Sequence, residues 1–143
     1  MTERKAARGV LDTSTLILLE RFIDDAGLPD ESLITTITLA ELSVGPLVAG
    51  DPTEAAIRQT RLQQAEADFT PLPFDVDAAR AFGRVAESLR RAGRKPQART
   101  YDAMIAAIAI ARGLPLVTVD PDDFAGIDAL DLRAVPHPSS HTS

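Results

Sequence analysis

Residues 99–113 read RTYDAMIAAIAIARG, and this stretch determines how the rest of the chain must fold. From position 103 to position 111 it contains only Ala, Met and Ile. A helix that is apolar on nearly every side belongs in the middle of a protein. It nevertheless opens with a carboxylate, Asp102, directly after Tyr101. An acid in the first turn can simply cap free N–H groups, so the rest of the chain must decide whether it has another role.

The composition is that of one ordinary globular domain. The chain has 143 residues, of which 45% are hydrophobic and 25% are charged, and this is enough for a single core. The absence of Cys removes disulfides, thiolate metal sites and a Cys nucleophile, and it fits a reducing cytoplasm. No apolar run is long enough to span a membrane, and the first residues, MTERKAARG, contain no signal-peptide core. We therefore expect a cytoplasmic protein with no membrane partner.

The two histidines of the chain offer no catalytic base in the core. His137 and His141 both lie in the polar C-terminal segment PHPSSHTS. We predict a single domain over residues 1–136 and a disordered tail over residues 137–143. Acid–base chemistry must then come from carboxylates, or from water on a metal that they hold.

Predicted strands and helices alternate along the whole chain. Strands are predicted at 8–12, 31–36, 114–119 and 130–135, with a further edge strand at 69–74, where two prolines stand. Helices are predicted at 13–27, from 38 to about 50, at 51–68, at 75–93 and in the opening stretch, with a turn or short helix at 121–126. This order predicts a three-layer α/β/α fold around a central, mostly parallel sheet of about five short strands.

Four acids stand at or near the ends of these predicted elements. Asp12 ends the first strand and Asp120 a later one, Glu41 lies one turn into the helix after the second strand, and Asp102 begins the apolar helix. Each acid alone could be structural, as a cap, a turn residue or a solvated helix residue. Sites in open α/β sheets form beyond the carboxyl ends of the strands, so four acids from four elements favour one shared site.

Clustered carboxylates repel one another unless a cation lies between them. A pair about 4 Å apart costs roughly 4 kcal/mol at an effective dielectric constant near 20. The only lysines, Lys5 and Lys95, fall in a terminal segment and a loop. A divalent cation is the natural relief, and an all-oxygen donor set selects Mg²⁺ or Mn²⁺ rather than Zn²⁺.

Four segments of the chain resemble the PIN-domain ribonucleases, in particular the VapC-type toxins of type II toxin–antitoxin systems. The segments are VLDTSTLI, TITLAELSVG, RTYDAMIAAIAIARG and LVTVDPDDF; they follow the family order and span most of the chain. The resemblance implies a metal-dependent endoribonuclease with Asp12, Glu41, Asp102 and Asp120 as its acidic quartet. It also makes Asp123 a candidate metal ligand, and it leaves open which of Asp120 and Asp123 matters more.

The chemistry of such a site predicts a mechanism. Mg²⁺ held by Asp12, Asp102 and Asp120 would lower the pKa of a bound water and polarise the scissile phosphate. Glu41 would orient that water or help to hold a second ion. Displacement of the 3′ oxygen then leaves a 5′ phosphate, if the site works as in its relatives.

Other polar residues near the acids have open roles. Thr13, Ser14 and Thr118 could hydrogen-bond metal ligands or bound water, or they could serve only as caps and strand-edge hydroxyls. Asp122 is expected to face solvent.

A basic run provides a candidate RNA-binding surface on a chain whose net charge is −6. Between positions 84 and 99 the basic residues are Arg84, Arg90, Arg91, Arg94, Lys95 and Arg99, against one acid, Glu87. The run leads into Asp102, so we expect it to contact phosphates, with a solvated helix face as the alternative. Since few aromatics are available to stack bases, recognition of a structured RNA by shape, such as a transfer RNA or a ribosomal RNA loop, is the more natural expectation.

The resemblance further implies two protein partners. One is a VapB-type antitoxin whose C-terminal segment covers the acidic site, where an Arg would be favoured. The other is a second copy of the chain in a homodimer.

Other classes of protein fit the sequence less well. A phosphatase of the haloacid-dehalogenase type needs a second Asp where Ser14 stands, and it needs a catalytic Lys. A response-regulator receiver needs an acidic pair near its first strand and a late Lys. The alternative that stays open is a domain that binds RNA or an antitoxin without cleaving RNA.

Overall fold

A parallel sheet of four short strands forms the centre of the protein. The computed structural model describes residues 5–22 and 27–138. The strands are β1 (Arg8–Leu11), β2 (Glu31–Leu33), β3 (Leu116–Thr118) and β4 (Leu132–Ala134). All pairings are parallel and the spatial order is β2-β1-β3-β4. The central strands β1 and β3 therefore end side by side, at the same edge of the sheet.

Five α-helices surround this sheet in the described residues. They are α1 (Thr13–Ile17), α2 (Thr36–Val44), α3 (Pro52–Asp68), α4 (Val76–Arg91) and α5 (Thr100–Ala111). Short 3₁₀ helices cover Leu19–Arg21, Gly45–Leu47, Pro96–Arg99 and Pro121–Phe124. The predicted alternation of strands and helices is confirmed.

Neighbouring residues of the central strands pack against different layers. Val10 and Leu116 belong to a core shared with α4 and α5. Leu11 and Val117 belong to a second core, which Leu16 of α1 covers from the other side. Side chains alternate between the two faces of a strand, so both faces of the sheet are covered by helices. This is the predicted three-layer arrangement.

The apolar helix α5 is the most deeply buried helix of the fold. Its buried residues are Ala103, Ile105, Ala106, Ala107, Ile108 and Ala109. The helix ends before Gly113, whose φ of 65° is a left-handed conformation that favours Gly. The prediction that this stretch lies in the middle of the protein is confirmed, and Asp102 is carried on its first turn.

Two other helices begin where their caps predicted. The Asp51 carboxylate accepts a hydrogen bond of 2.8 Å from the N–H of Glu54, at the start of α3. The Asp75 carboxylate accepts one of 2.9 Å from the N–H of Ala78, at the start of α4. Both caps satisfy N–H groups that a helix start leaves free.

The structure corrects three of the predicted boundaries. The first helix ends at Ile17 and is followed by the 3₁₀ turn, and residues 23–26 of its predicted span lie outside the described residues. The second strand stops at Leu33, because Thr35 already caps α2, which begins at Thr36. The edge strand predicted at 69–74 is reduced to a single bridge between Thr35 and Leu72. The prolines on either side of Leu72 have no N–H to extend a ladder, so pairing stops there.

The chain termini are only partly described. In the predicted tail, His137 is half-buried and Pro138 is buried, while residues 139–143, with His141, lie outside the described residues. Across the described ranges, no helix is both long enough and apolar enough to cross a membrane.

Candidate functional site

Asp12 follows β1 and is held by hydroxyl groups from two elements. Only 3% of its surface is exposed. The Thr118 hydroxyl donates to Asp12 Oδ2 at 3.0 Å, Ser14 donates to the same oxygen at 3.2 Å, and Thr15 donates to Oδ1. Burial raises the pKa of Asp12, and the hydroxyl donors oppose that rise. Hydroxyl groups thus fix the Asp12 carboxylate in place, and no cation pairs with it in the part of the chain that the structure describes.

Asp120 follows β3 and shares a hydroxyl with Asp12. Ser14 Oγ lies 2.9 Å from Asp120 Oδ2 and 3.2 Å from Asp12 Oδ2. The Asp120 backbone N–H donates to Thr118 Oγ1 at 2.9 Å, which anchors the turn after the strand. The two predicted strand-end acids therefore face each other across one serine hydroxyl.

Glu41 reaches the same region from α2. Thr13 donates to Glu41 Oε1 at 2.5 Å, and the Thr13 hydroxyl also lies 3.0 Å from that of Thr38. Burial raises the pKa of Glu41, and the negative charge of Asp12 raises it further, while the hydrogen bond from Thr13 opposes both. This coupling places Glu41 within the electrostatic field of the strand-end acids.

Asp102 lies on the first turn of α5, and three other acids affect its pKa. Burial raises its pKa to about 6, together with the negative charges of Asp123, Asp12 and Glu41, and Arg99 opposes the rise. Within the described part of the chain, its carboxylate accepts no hydrogen bond. The interpretation of Asp102 as a helix cap is therefore not supported, and its strongest couplings are to the other acids.

Asp123 forms an ion pair with Arg99. Arg99 Nη1 lies 3.3 Å from Asp123 Oδ1 and 3.4 Å from the Asp123 carbonyl oxygen. Asp122, by contrast, is exposed, as predicted. Of the two candidates for the last acid, Asp120 faces Asp12 and Asp123 is engaged by Arg99.

A pocket of about 540 Å³ opens beside two of the acids. It is lined by Glu41, Gln97, Ala98, Arg99, Thr100, Tyr101 and Asp102. A second pocket, of about 560 Å³, lies between α1 and α3 and is lined mainly by apolar side chains such as Leu16, Ile57 and Phe69. None of the predicted acids lines that second pocket, whereas Glu41 and Asp102 line the first.

The predicted RNA-binding residues do not all gather at this pocket. Arg99 lines it. Arg84 and Arg91 line a different groove of about 170 Å³, where Arg91 is paired with Asp128 at 2.9 Å. Arg90 and Lys95 are exposed and Arg94 is half-buried. Only the last member of the basic run stands beside the acids.

The donor set matches a hydrated divalent cation. The available ligands are carboxylate and hydroxyl oxygens, which suit Mg²⁺ or Mn²⁺. Across residues 5–22 and 27–138, no group of three Asp, Glu or His side chains could by itself hold a metal ion. Mg²⁺ commonly keeps several waters and binds through one or two carboxylates, so the pair formed by Asp12 and Asp120 is compatible with it.

Sequence reasoning missed four residues of the site. Thr15 and Thr38 are fully buried and hold, respectively, Asp12 and the Thr13 hydroxyl. Their signal was a hydroxyl residue at helical spacing inside an apolar run, which periodicity alone counts as core. Gln97 and Tyr101 line the pocket, and nothing in their sequence context indicated this.

Comparison with known proteins agrees with this geometry. The profile of the PIN domain family matches residues 9–130. Ribonuclease VapC5 of Mycobacterium tuberculosis is 45% identical over 124 residues, which cover 85% of this chain and 89% of that protein. Ribonuclease VapC4 of the same organism is 36% identical over 130 residues, covering 90% of this chain and 97% of that protein.

A solved structure extends the similarity to three dimensions. It is the crystal structure of VapBC-5, a member of the VapBC family of toxin–antitoxin systems from Mycobacterium tuberculosis. It matches with a TM-score of 0.77 at 42% identity and covers 91% of this chain and 98% of that chain. The chain therefore belongs to the PIN domain family, and within it to the VapC ribonucleases.

Proposed function

We propose that this protein is a metal-dependent endoribonuclease that acts as the toxin of a toxin–antitoxin pair. The observation that carries the proposal is the convergence of Asp12, Glu41, Asp102 and Asp120 from four separate elements. Burial raises the pKa of the first three of these acids, and their mutual repulsion raises it further for Glu41 and Asp102. Such an arrangement costs stability in the free protein and is relieved by a bound cation.

Asp12 and Asp120 are the pair that would hold a hydrated Mg²⁺ or Mn²⁺, and Asp102 is the third acid of the predicted set, contributed by α5. A bound ion of this kind activates water and polarises a phosphate oxygen. Glu41, fixed by Thr13, stands where it can orient the attacking water and accept its proton. Hydrolysis breaks the bond between phosphorus and the 3′ oxygen, and the product carries a 5′ phosphate.

We assign Asp120, rather than Asp123, as the fourth acid of the site. Asp120 shares the Ser14 hydroxyl with Asp12, which brings the two carboxylates to one place. Asp123 accepts a hydrogen bond from Arg99 instead, which compensates part of its charge, and the remainder raises the pKa of Asp102. Asp123 then acts as a positioning residue that holds Arg99 at the pocket.

The substrate class that we propose is a structured cellular RNA, either a transfer RNA or a ribosomal RNA loop, whose cleavage stops translation in the cytoplasm. With a net charge of −6, the protein needs local rather than overall attraction for phosphates. Arg99 supplies that attraction next to the acids. Selection by shape suits a protein with 4% aromatic residues.

We propose a VapB-type antitoxin as the protein that restrains this activity, and a homodimer as the state of the toxin. The buried acids Asp12, Glu41 and Asp102 favour insertion of an Arg from the partner, since Arg–carboxylate pairs are strong. The VapBC-5 relative is itself a toxin–antitoxin system, which supports a partner of this kind.

The activity is tested by metal titration of the antitoxin-free protein. Mg²⁺ or Mn²⁺ is added with total cellular RNA, and new 5′ ends are mapped. Discrete ends are expected that disappear in EDTA and in Asp12→Asn. Asp122→Asn is the matched control, because it removes the same charge from an exposed position nearby. Circular dichroism verifies that both variants are folded.

The result also separates cleavage from binding. RNA that stays intact while the folded protein binds both metal and RNA would support the alternative, a PIN domain that binds RNA or antitoxin without cutting. Cleavage that persists in Asp12→Asn or in EDTA would remove the assignment of the metal site.

A further inference from the structure

Tyr101 is an exposed aromatic residue that forms no ring contact and no side-chain hydrogen bond within the described residues. Its surface is 56% exposed, and it is the one aromatic side chain in this class within the described residues. The ring contact found in that part of the chain joins Phe74 and Phe82 instead. An exposed aromatic ring offers a flat apolar face on which a planar ligand can stack.

That place is the wall of the acidic pocket. Tyr101 lies directly before Asp102 on the first turn of α5, and Glu41 belongs to the same pocket lining. The pocket volume of about 540 Å³ is within the range of roughly 300–1,000 Å³ that is typical of small-ligand sites. A ligand held against the ring would therefore lie next to Glu41 and Asp102.

Arg99 adds phosphate-binding capacity to the same wall. It contacts Asp123 through Nη1 alone, at 3.3 Å, and its side chain is 31% exposed. A guanidinium has five N–H donors in a planar fork, so most of its donors stay available for a phosphate. Cation and aromatic ring thus stand two residues apart at the mouth of the acidic site.

We propose that Tyr101 and Arg99 form a subsite for one unpaired nucleotide of the RNA, with the base stacked on the phenol ring and the adjacent phosphate on the guanidinium. The inference rests on the proposed ribonuclease activity and narrows its substrate class. Other parts of the RNA can be base-paired, but the nucleotide at the cleavage site must be unstacked. A base inside a continuous helix has both faces covered and cannot meet the ring.

The sequence supplies a direct probe of this contact. Tyr101 is the only tyrosine and the chain has no Trp, so tyrosine emission reports on this residue alone. A short single-stranded RNA is titrated into the wild-type protein, with Ca²⁺ in place of Mg²⁺ to limit cleavage. Binding is followed separately by the anisotropy of a dye on the RNA. An abasic oligonucleotide of equal length is the control, because it keeps the phosphates and lacks the bases.

Saturable quenching of Tyr101 by the RNA, absent with the abasic chain, is the expected result. The abasic chain should also bind roughly five- to hundredfold more weakly, which corresponds to the stacking of one base. Quenching that is absent while the anisotropy shows bound RNA would overturn the proposal.

Two substitutions test the subsite in cleavage assays. Tyr101→Phe keeps the ring, and its KM should stay closer to the wild-type value than that of Tyr101→Leu. Tyr101→Leu keeps apolar surface without an aromatic face, and its KM should rise roughly five- to hundredfold with little change in kcat, because stacking holds substrate and transition state alike. An unchanged KM for Tyr101→Leu would overturn the subsite. The subsite would also be overturned if Tyr101→Leu weakened only inhibition by the antitoxin and left RNA cleavage unchanged.

The failure of the subsite and the failure of the proposed function give different results. If the wild type cleaves RNA but Tyr101 is neither quenched nor needed, only the subsite is wrong. If the wild type neither binds nor cleaves RNA with any of the three cations, the ribonuclease proposal fails, and the subsite fails with it.

Discussion

Ser14 has one hydroxyl proton and two carboxylate neighbours. Its oxygen lies 3.2 Å from Asp12 Oδ2 and 2.9 Å from Asp120 Oδ2. A single O–H can serve only one acceptor well, so part of the repulsion between the two acids is left uncompensated. Sequence inspection could name both acids from their positions after strands, but it could not show that Ser14 joins them, since this contact depends on how α1 leaves the sheet.

Loss of the Ser14 hydroxyl should weaken the metal site. We expect Ser14→Ala to lower metal affinity or cleavage roughly ten- to hundredfold, as is common for residues that orient metal ligands. The measurement is cleavage rate as a function of Mg²⁺ concentration. Ser43→Ala is the control, because that exposed hydroxyl donates only to the Leu39 carbonyl. An unchanged Mg²⁺ dependence in Ser14→Ala would show that the hydroxyl does not position the acids.

The charged Asp102 carboxylate should destabilise the metal-free protein, although the proposed function requires it. Its pKa is raised from 3.8 to about 6, so the folded state binds a proton more tightly than the unfolded state does. Stability from this group is complete below about pH 4 and is lost as the pH rises through about 6. Asp102→Asn should therefore stabilise the metal-free protein at neutral pH by about 1 kcal/mol, a figure reduced for solvent screening of a half-exposed group.

Urea denaturation in EDTA measures this effect. The gain in Asp102→Asn should be small near pH 4 and largest above pH 7, and Asp122→Asn should show no comparable gain. Cleavage by Asp102→Asn should be lost at every pH. A variant that is less stable than the wild type at neutral pH would mean that Asp102 has a structural partner.

Helix α5 shows which part of an element is readable from sequence. An unbroken run of Ala, Met and Ile has no polar face, so burial was predictable, and it is observed at Ala103 and from Ile105 to Ala109. The end of α1, by contrast, was not predictable from the sequence. Residues 16–19 form an apolar run without a stop signal, whereas the helix ends at Ile17.

The core role of α5 predicts a large difference between two equivalent substitutions. Ile105 is fully buried against the sheet, and Ile105→Ala should lower the free energy of unfolding by about 2–5 kcal/mol through lost burial and a cavity. Ile57 on α3 is 49% exposed, and Ile57→Ala should cost less than about 1 kcal/mol. Urea denaturation of both variants provides the measurement. Equal losses would contradict the assignment of α5 as the core helix.

At the scale of the whole molecule, charge distribution matters more than net charge. The proximity of Asp12 and Asp120 was predictable because the parallel strands β1 and β3 end at one edge of the sheet. The basic run was predicted as one surface, and its members line different pockets. Residues along α4 point in several directions, and Arg84 and Arg91 face a groove with Asp128, whereas Arg99 meets the acids. Contiguity in sequence does not determine contiguity on a folded surface.

RNA binding should therefore depend on Arg99 and hardly on Arg84. Each lost phosphate contact weakens binding and lowers the slope of log affinity against log salt by roughly 0.7–0.9. We expect this change in Arg99→Gln and none in Arg84→Gln, with RNA affinity measured over a range of salt concentrations. Arg99→Gln also releases the charge of Asp123, so the double variant with Asp123→Asn is needed to keep the local charge balanced.

The double variant distinguishes a direct contact between Arg99 and phosphate from an indirect effect of Arg99 on the charge of Asp123. If Arg99 binds phosphate directly, removing both charges leaves RNA binding as weak as Arg99→Gln alone, because the donors are gone. If Arg99 serves only to mask Asp123, the double variant recovers wild-type affinity and salt dependence. An equal loss in Arg84→Gln would restore the whole basic run as the binding surface, and the RNA would then have to extend from the acidic pocket along α4.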